Sequence, residues 1–108
     1  MLWVNLVVAH MPKGARYTMG ARIEHKFLEL LELLYIAYFT NKESKPEKID
    51  TCILKLDTLK FLISVAWEAK FISHTHFEQI SVKLDEVGKM LGGWKKNLEQ
   101  GDKKNRTL

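Results

Sequence analysis

The sequence predicts an all-α protein: an antiparallel up-down four-helix bundle with a short first helix, which assembles into a homo-oligomer. Apolar residues recur every three or four positions through most of the 108 residues, and no segment alternates strictly as a strand would. Two segments also match the capping-box pattern that opens helices. Nearly half of the residues are apolar and only two are proline, so the chain is expected to fold as one domain.

The predicted domain covers residues 1–98, and a basic flexible tail follows at 99–108. Its helices are predicted at residues 2–11, 18–41, 45–71 and 75–98. Pro12 ends the first helix, and Thr18 is the expected N-cap of the second. The loops between the helices are short, which predicts antiparallel neighbours.

Capping boxes are predicted to open the third and fourth helices. The third begins at Ser44-Lys45-Pro46-Glu47 and the fourth at Thr75-His76-Phe77-Glu78. Each of the three longer helices has a main apolar stripe that is expected to form the core. The stripes are Met19, Ile23, Phe27, Leu30, Leu34 and Ala37; Ile49, Ile53, Leu56, Leu59, Ile63 and Ala66; and Phe77, Ile80, Leu84, Val87, Leu91, Trp94 and Leu98.

The second and third predicted helices are apolar on more than one face. Between Phe27 and Phe39 only Glu29 and Glu32 are polar, and both lie on one side of the helix. A four-helix monomer covers one stripe per helix, so the second stripe is expected to contact another subunit. A monomer with some exposed leucines is the alternative. The predicted subunit interface contains Leu28, Tyr35, Phe39, Leu54, Phe61, Leu62 and Val65.

Basic residues gather at two places in the sequence. Residues 13–26 carry four basic side chains against one acidic, and residues 95–106 carry five against two. Such clusters are typical of a partner that carries phosphates, although a solvated tail would have a similar composition. The predicted nucleic-acid-binding residues are Lys13, Arg16, Arg22, Lys26, Lys95 and Lys96.

Signals for an enzyme or a metal site are weak. The sequence has no nucleophile motif and no phosphate-binding glycine loop, and no pair of carboxylates stands out. His74 and His76 could offer two imidazoles to a metal, but surface or capping roles in a turn are favoured because no third ligand is evident. The single Cys52 is expected to be a small buried apolar residue. No catalytic residue, metal or cofactor is predicted.

The sequence also predicts a cytoplasmic protein without a membrane segment. The longest apolar stretch, Phe27 to Phe39, contains two glutamates and is shorter than the roughly 20 residues of a membrane span. The apolar opening at residues 1–9 has no preceding basic region and no small-residue cleavage site after it, so it is not expected to be a signal peptide.

Three blocks of the sequence resemble one protein family. They read MPKGARYTMGARIEHKFLELLELLYIA, KLDTLKFLISVAWEAKFIS and LDEVGKMLGGWKKNL. In this order they are similar to the Avd family, the four-helix-bundle accessory proteins encoded beside the reverse transcriptases of diversity-generating retroelements. A sister group is encoded in intervening sequences of bacterial ribosomal RNA genes. The likeness covers about residues 2–98 and includes no catalytic signature.

The resemblance implies a homopentameric, barrel-like assembly with a basic surface. Such an assembly would bind the reverse transcriptase and nucleic acid during error-prone copying of a template RNA. Family members usually have a longer first helix, so this chain is expected to begin within it. The family's short motifs match Pro12, Lys13, Arg16, Tyr17 and Thr18, then Gly20, Arg22 and Ile23, and finally the block from Leu91 to Trp94.

Two functions are therefore expected as alternatives. The first is a non-enzymatic accessory protein that binds nucleic acid and a reverse transcriptase. The second is an oligomeric protein-interaction module of the ribosomal intervening-sequence type, which does not bind nucleic acid. A third hypothesis, with less support from the sequence, is a metal-dependent enzyme that uses His74 and His76.

Overall fold

The computed structural model describes the backbone of residues 7–106 and the side chains of residues 7–99. Within that part of the chain all regular structure is helical, which confirms the all-α prediction. Residues 7–9 are helical, and the rest of the first predicted helix up to residue 6 lies outside the described residues. The elements that follow are α1 (Lys13–Ala15), a π-helical turn (Arg16–Gly20), α2 (Ala21–Phe39), α3 (Lys45–Glu68) and α4 (His74–Arg106).

The three long helices run antiparallel in chain order, as predicted. Helix α3 packs against both α2 and α4. Late residues of α2 meet early residues of α3, since Lys45 Nζ donates to the Tyr38 carbonyl at 3.1 Å. The same reversal joins α3 to α4, in the pairs Asp50–Lys95, Lys60–Asp85 and Trp67–Phe77.

The core is built from the predicted main stripes. Residues from all three long helices reach nearly complete burial, and Val7, Val8 and Met11 bring the start of the described chain onto the same cluster. Cys52 is fully buried, as predicted, and burial raises the pKa of its thiol, which keeps it protonated and unreactive. The largest fully buried side chains are Ile23, Leu30, Ile49, Leu56, Leu59, Ile63, Ile80 and Leu84.

The predicted start of the second helix at Thr18 is wrong. Helical structure begins at Lys13, directly after Pro12, and Thr18 lies inside the π-helical turn. Its hydroxyl donates to the Gly14 carbonyl at 3.3 Å, whereas an N-cap hydroxyl would accept from a backbone N–H. A threonine can satisfy its hydroxyl in either way, so its presence alone did not mark the helix start.

Neither predicted capping box forms. Helix α3 does begin at Lys45, but Ser44 makes no side-chain cap; its own N–H instead donates to Asn41 Oδ1 at 3.0 Å. Helix α4 begins at His74, and Ser73 caps it by accepting the His76 N–H at 3.2 Å. The side chains that accept hydrogen bonds at the starts of the two helices, Asn41 and Ser73, thus precede the predicted capping boxes.

The ends of α3 and α4 also differ from the prediction. Helix α3 stops at Glu68 because Lys70 adopts a left-handed conformation with φ of 65°, and the Phe71 N–H donates back to the Ala66 carbonyl at 2.8 Å. Helix α4 continues past the predicted end at Leu98 to Arg106, so residues 99–106 are helical. A glycine such as Gly101 costs a helix only about 1 kcal/mol and does not have to stop it.

Helix α4 determines the length of the molecule. At 33 residues it measures about 50 Å, which is most of the 58 Å long axis. Among residues 7–106, no helix combines the length and the apolar character that crossing a membrane requires.

Gly20 allows the start of the described chain to cross the π-helical turn closely. A Cβ at this position would lie 2.9 Å from Val8 Cγ1, and a second contact at 3.4 Å involves Met11 Sδ. We expect Gly20→Ala to lower the free energy of unfolding by roughly 1 kcal/mol or more, because overpacking outweighs the better helix propensity of alanine. Denaturant unfolding followed by circular dichroism measures this difference.

Gly92→Ala is the matched control for Gly20→Ala. No heavy atom lies within 4 Å of a Cβ built at Gly92. This variant should therefore raise the free energy of unfolding by about 1 kcal/mol through helix propensity alone. Equal stabilisation by both substitutions would show that the first segment does not pack closely on the turn.

Candidate functional site

The six predicted nucleic-acid-binding residues lie at two opposite ends of the bundle. Lys13, Arg16, Arg22 and Lys26 lie in α1, the π-helical turn and the start of α2, a region that we call the basic end. Lys95 and Lys96 lie about 30 Å along α4 from its first residue, beside the beginning of α3. The structure therefore separates this set into two groups.

Two of the six residues are held by carboxylates. Lys95 Nζ lies 2.6 Å from Asp50 Oδ1, and this hydrogen bond raises the pKa of Lys95. Lys26 Nζ lies 3.7 Å from Glu29 Oε2, which also accepts from Lys55 Nζ at 3.1 Å. The hydrogen bond from Lys55, followed by the charges around it, lowers the pKa of Glu29, which stays ionised at neutral pH.

Lys96, at the opposite end, is exposed and forms no ion pair with any side chain of residues 7–99. Lys13, Arg16 and Arg22 are exposed cations of the same kind at the basic end. None of the three forms an ion pair with any side chain of residues 7–99. All three lie within the first ten residues of the continuous helical stretch that starts at Lys13. Their charges can therefore interact with an external anion without first breaking a contact within the subunit.

Two grooves flank these cations. The larger has a volume of about 800 Å³ and includes Arg22, Lys26 and Phe71 in its lining. The smaller has a volume of about 330 Å³ and includes Lys13, Arg16 and the acidic Glu24. The size of each groove falls within the range of ligand pockets in proteins.

Tyr17 lines both grooves and is 76% exposed. It belongs to a motif shared with the Avd family, but the resemblance implies no role for it. It sits in the π-helical turn, a rare geometry that often occurs at functional sites. The only sequence signal for it is an aromatic residue flanked by basic ones.

The predicted subunit-interface residues mostly lie on the surface of the subunit. Five of them are exposed: Leu28, Tyr35, Phe39, Leu54 and Phe61. Leu62 is 8% exposed, because it faces the core, so its assignment to the interface is corrected; Val65 is half-buried. Three further apolar side chains of α2 are exposed although the prediction did not include them: Leu31, Ile36 and Tyr38.

The two histidines of the metal-site hypothesis, His74 and His76, contact other side chains. His74 Nε2 lies 2.9 Å from Glu78 Oε1, and the His76 ring lies 4.9 Å from the His10 ring, edge to face. Within the described part of the chain, no three histidine, cysteine, aspartate or glutamate side chains come close enough together to hold a metal ion.

Comparison with known proteins identifies the family. No curated protein and no solved structure is significantly similar to the chain. A family model described as bAvd-like matches residues 1–98, which include the basic end, the two grooves and the three long helices up to Leu98. This match indicates an accessory role. The chain belongs to the bAvd-like family.

Proposed function

We propose that this protein is a non-enzymatic accessory protein that binds RNA or DNA through phosphates during the mutagenic copying of a diversity-generating retroelement. The observation that carries the proposal is the group of three exposed cations, Lys13, Arg16 and Arg22, which form no ion pair within residues 7–99. Membership of the bAvd-like family supports the accessory role.

The chemistry of the three side chains suits phosphate binding. A guanidinium group presents several N–H donors in a plane and can bind two phosphate oxygens at once, while a lysine acts as a mobile point charge. Contacts of this kind neutralise phosphates without reading bases, and each one releases counterions from the nucleic acid. Binding should therefore be insensitive to sequence and should weaken as salt rises.

Two further partners belong to this proposal. One is a reverse transcriptase, which the family membership supports. The other is a second copy of the protein itself, because the large rings of Tyr35 and Phe39 are each 68% exposed. Patches of this kind mark interaction surfaces on soluble proteins. The proposed assembly is a homopentamer, as the resemblance implies.

The double variant Arg16→Ala, Arg22→Ala tests the proposed binding face. It should weaken binding to a labelled RNA at low salt by about tenfold or more, because two phosphate contacts are lost. The control is Lys42→Ala, Lys48→Ala, which removes the same charge from exposed positions at the opposite end of α2 and α3. Fluorescence anisotropy gives both affinities.

Equal losses in the two variants would mean that net charge alone governs binding and that the basic end has no special role. Undetectable binding by the unmodified protein would favour the second candidate, a protein-interaction module without nucleic-acid affinity. The exposed apolar side chains of α2 are the observation that favours that alternative. It predicts self-association with no salt-dependent binding.

A further inference from the structure

The exposed ring of Tyr17 lies between two groups of basic residues. It lines the smaller groove together with Lys13 and Arg16, and the larger groove together with Arg22. A ligand that fills both grooves therefore contacts Tyr17 in each of them. Within residues 7–99 no other aromatic ring packs against it.

The larger groove has more positive than negative charge despite one acidic residue. Glu29 lies in its wall, but Lys26 and Lys55 both approach its carboxylate, and His25 Nε2 donates to it at 2.7 Å. Arg22 adds a cation that this carboxylate does not hold. The smaller groove also has one acidic residue, Glu24, against the two cations Lys13 and Arg16. Both grooves therefore carry more positive than negative charge.

Cations alone would bind single-stranded and duplex nucleic acid alike, but an aromatic ring between them distinguishes the two. In a duplex the bases are stacked on each other and are not accessible to a protein ring. In a single strand the base faces are free, and proteins that bind single strands combine a basic groove with aromatic side chains on which bases stack. The arrangement around Tyr17 has both parts.

We infer that the basic end of the bundle binds single-stranded nucleic acid in preference to duplex, with Tyr17 stacking on an unpaired base between phosphates held by Lys13, Arg16 and Arg22. This inference rests on the proposed function and names its substrate class. Stacking on a tyrosine ring tolerates any base, so the binding remains insensitive to sequence. Phe71 in the wall of the larger groove offers a second apolar surface beside the same path.

The test uses the full chain with three fluorescein-labelled probes of equal length: oligo-dT, oligo-rU and a mixed-sequence DNA duplex. Tyr17→Ala should weaken binding to both single strands by roughly fivefold to a hundredfold, the range found for loss of one base stack. Affinity for the duplex should be unchanged. Tyr17→Phe retains the ring and should keep the affinity of the unmodified protein. Tyr17 is 76% exposed, so neither substitution disturbs the core.

The salt dependence distinguishes stacking from charge. Tyr17→Ala should leave the slope of log affinity against log salt unchanged, because no phosphate contact is lost. Arg22→Ala should make the slope on single strands shallower by about 0.7, the value for one phosphate. The two slopes therefore separate a residue that stacks on a base from one that contacts a phosphate.

The outcomes also separate this inference from the proposed function. Equal affinity of the unmodified protein for duplex and single strand, or the same loss in Tyr17→Phe as in Tyr17→Ala, would overturn the stacking role and leave phosphate binding intact. No salt-dependent binding to any of the three probes would overturn both.

Discussion

Replacing Leu59 by alanine is expected to destabilise the fold by about 2–5 kcal/mol, the range for removing a buried leucine side chain. Leu59 is fully buried in α3, the helix that packs against both α2 and α4. A cavity there removes contacts from the core that all three long helices share. Because small domains are stable by only about 5–15 kcal/mol, the loss is a large part of the total. Denaturant unfolding monitored at 222 nm by circular dichroism measures it.

Met90→Ala provides the control for this prediction. Met90 is an apolar side chain of similar size in α4, but it is 71% exposed and lies outside the predicted subunit interface. Its replacement should change the free energy of unfolding by at most about 0.5 kcal/mol. Similar effects of the two substitutions would mean that α3 does not lie against the other long helices as described.

The second large effect is expected in the assembly. The double variant Tyr35→Glu, Phe39→Glu should convert the proposed oligomer into single subunits, because two unpaired carboxylates would be buried at its interface and each costs several kcal/mol. The two rings contact each other at 4.8 Å between centroids and are exposed on the subunit. Light scattering coupled to size-exclusion chromatography at micromolar concentration gives the mass directly.

A matched control separates the interface from a general effect of charge. Val82→Glu, Met90→Glu adds the same charge at exposed apolar positions of α4 that are not in the predicted interface. This variant should keep the mass measured for the unmodified protein. A single-subunit mass for the unmodified protein would contradict self-association, and dissociation by both variants would place the interface elsewhere.

The core could be predicted from the sequence because burial follows helical periodicity. Ile23, Leu59 and Leu84 lie in the predicted stripes and are all at most 1% exposed. The helix starts were less predictable, since short polar side chains can donate or accept in several geometries. Ser73 caps α4 without the glutamate of a capping box, so the pattern favoured Thr75 instead.

The candidate site was predictable in composition but not in arrangement. The sequence was enough to select six basic residues as candidates for binding nucleic acid. It could not show that Lys95 pairs with Asp50, because the two positions are far apart in the chain and meet only where α3 packs against α4. The π-helical turn that contains Tyr17 has no sequence pattern comparable to a capping box. The tertiary structure pairs Lys26 and Lys95 with carboxylates, separates Lys96 from the basic end, and so leaves three cations there that form no ion pair within residues 7–99, with an aromatic residue between them.

The most direct test of phosphate binding at the basic end is the salt dependence of single-stranded RNA binding by the unmodified protein. We expect a linear fall of log affinity with log salt between about 50 and 200 mM, with a slope of about −2 or steeper for three phosphate contacts. The slope should become shallower by about 1.4 in Arg16→Ala, Arg22→Ala. A flat dependence, or a slope that this double variant leaves unchanged, would contradict phosphate binding at the basic end.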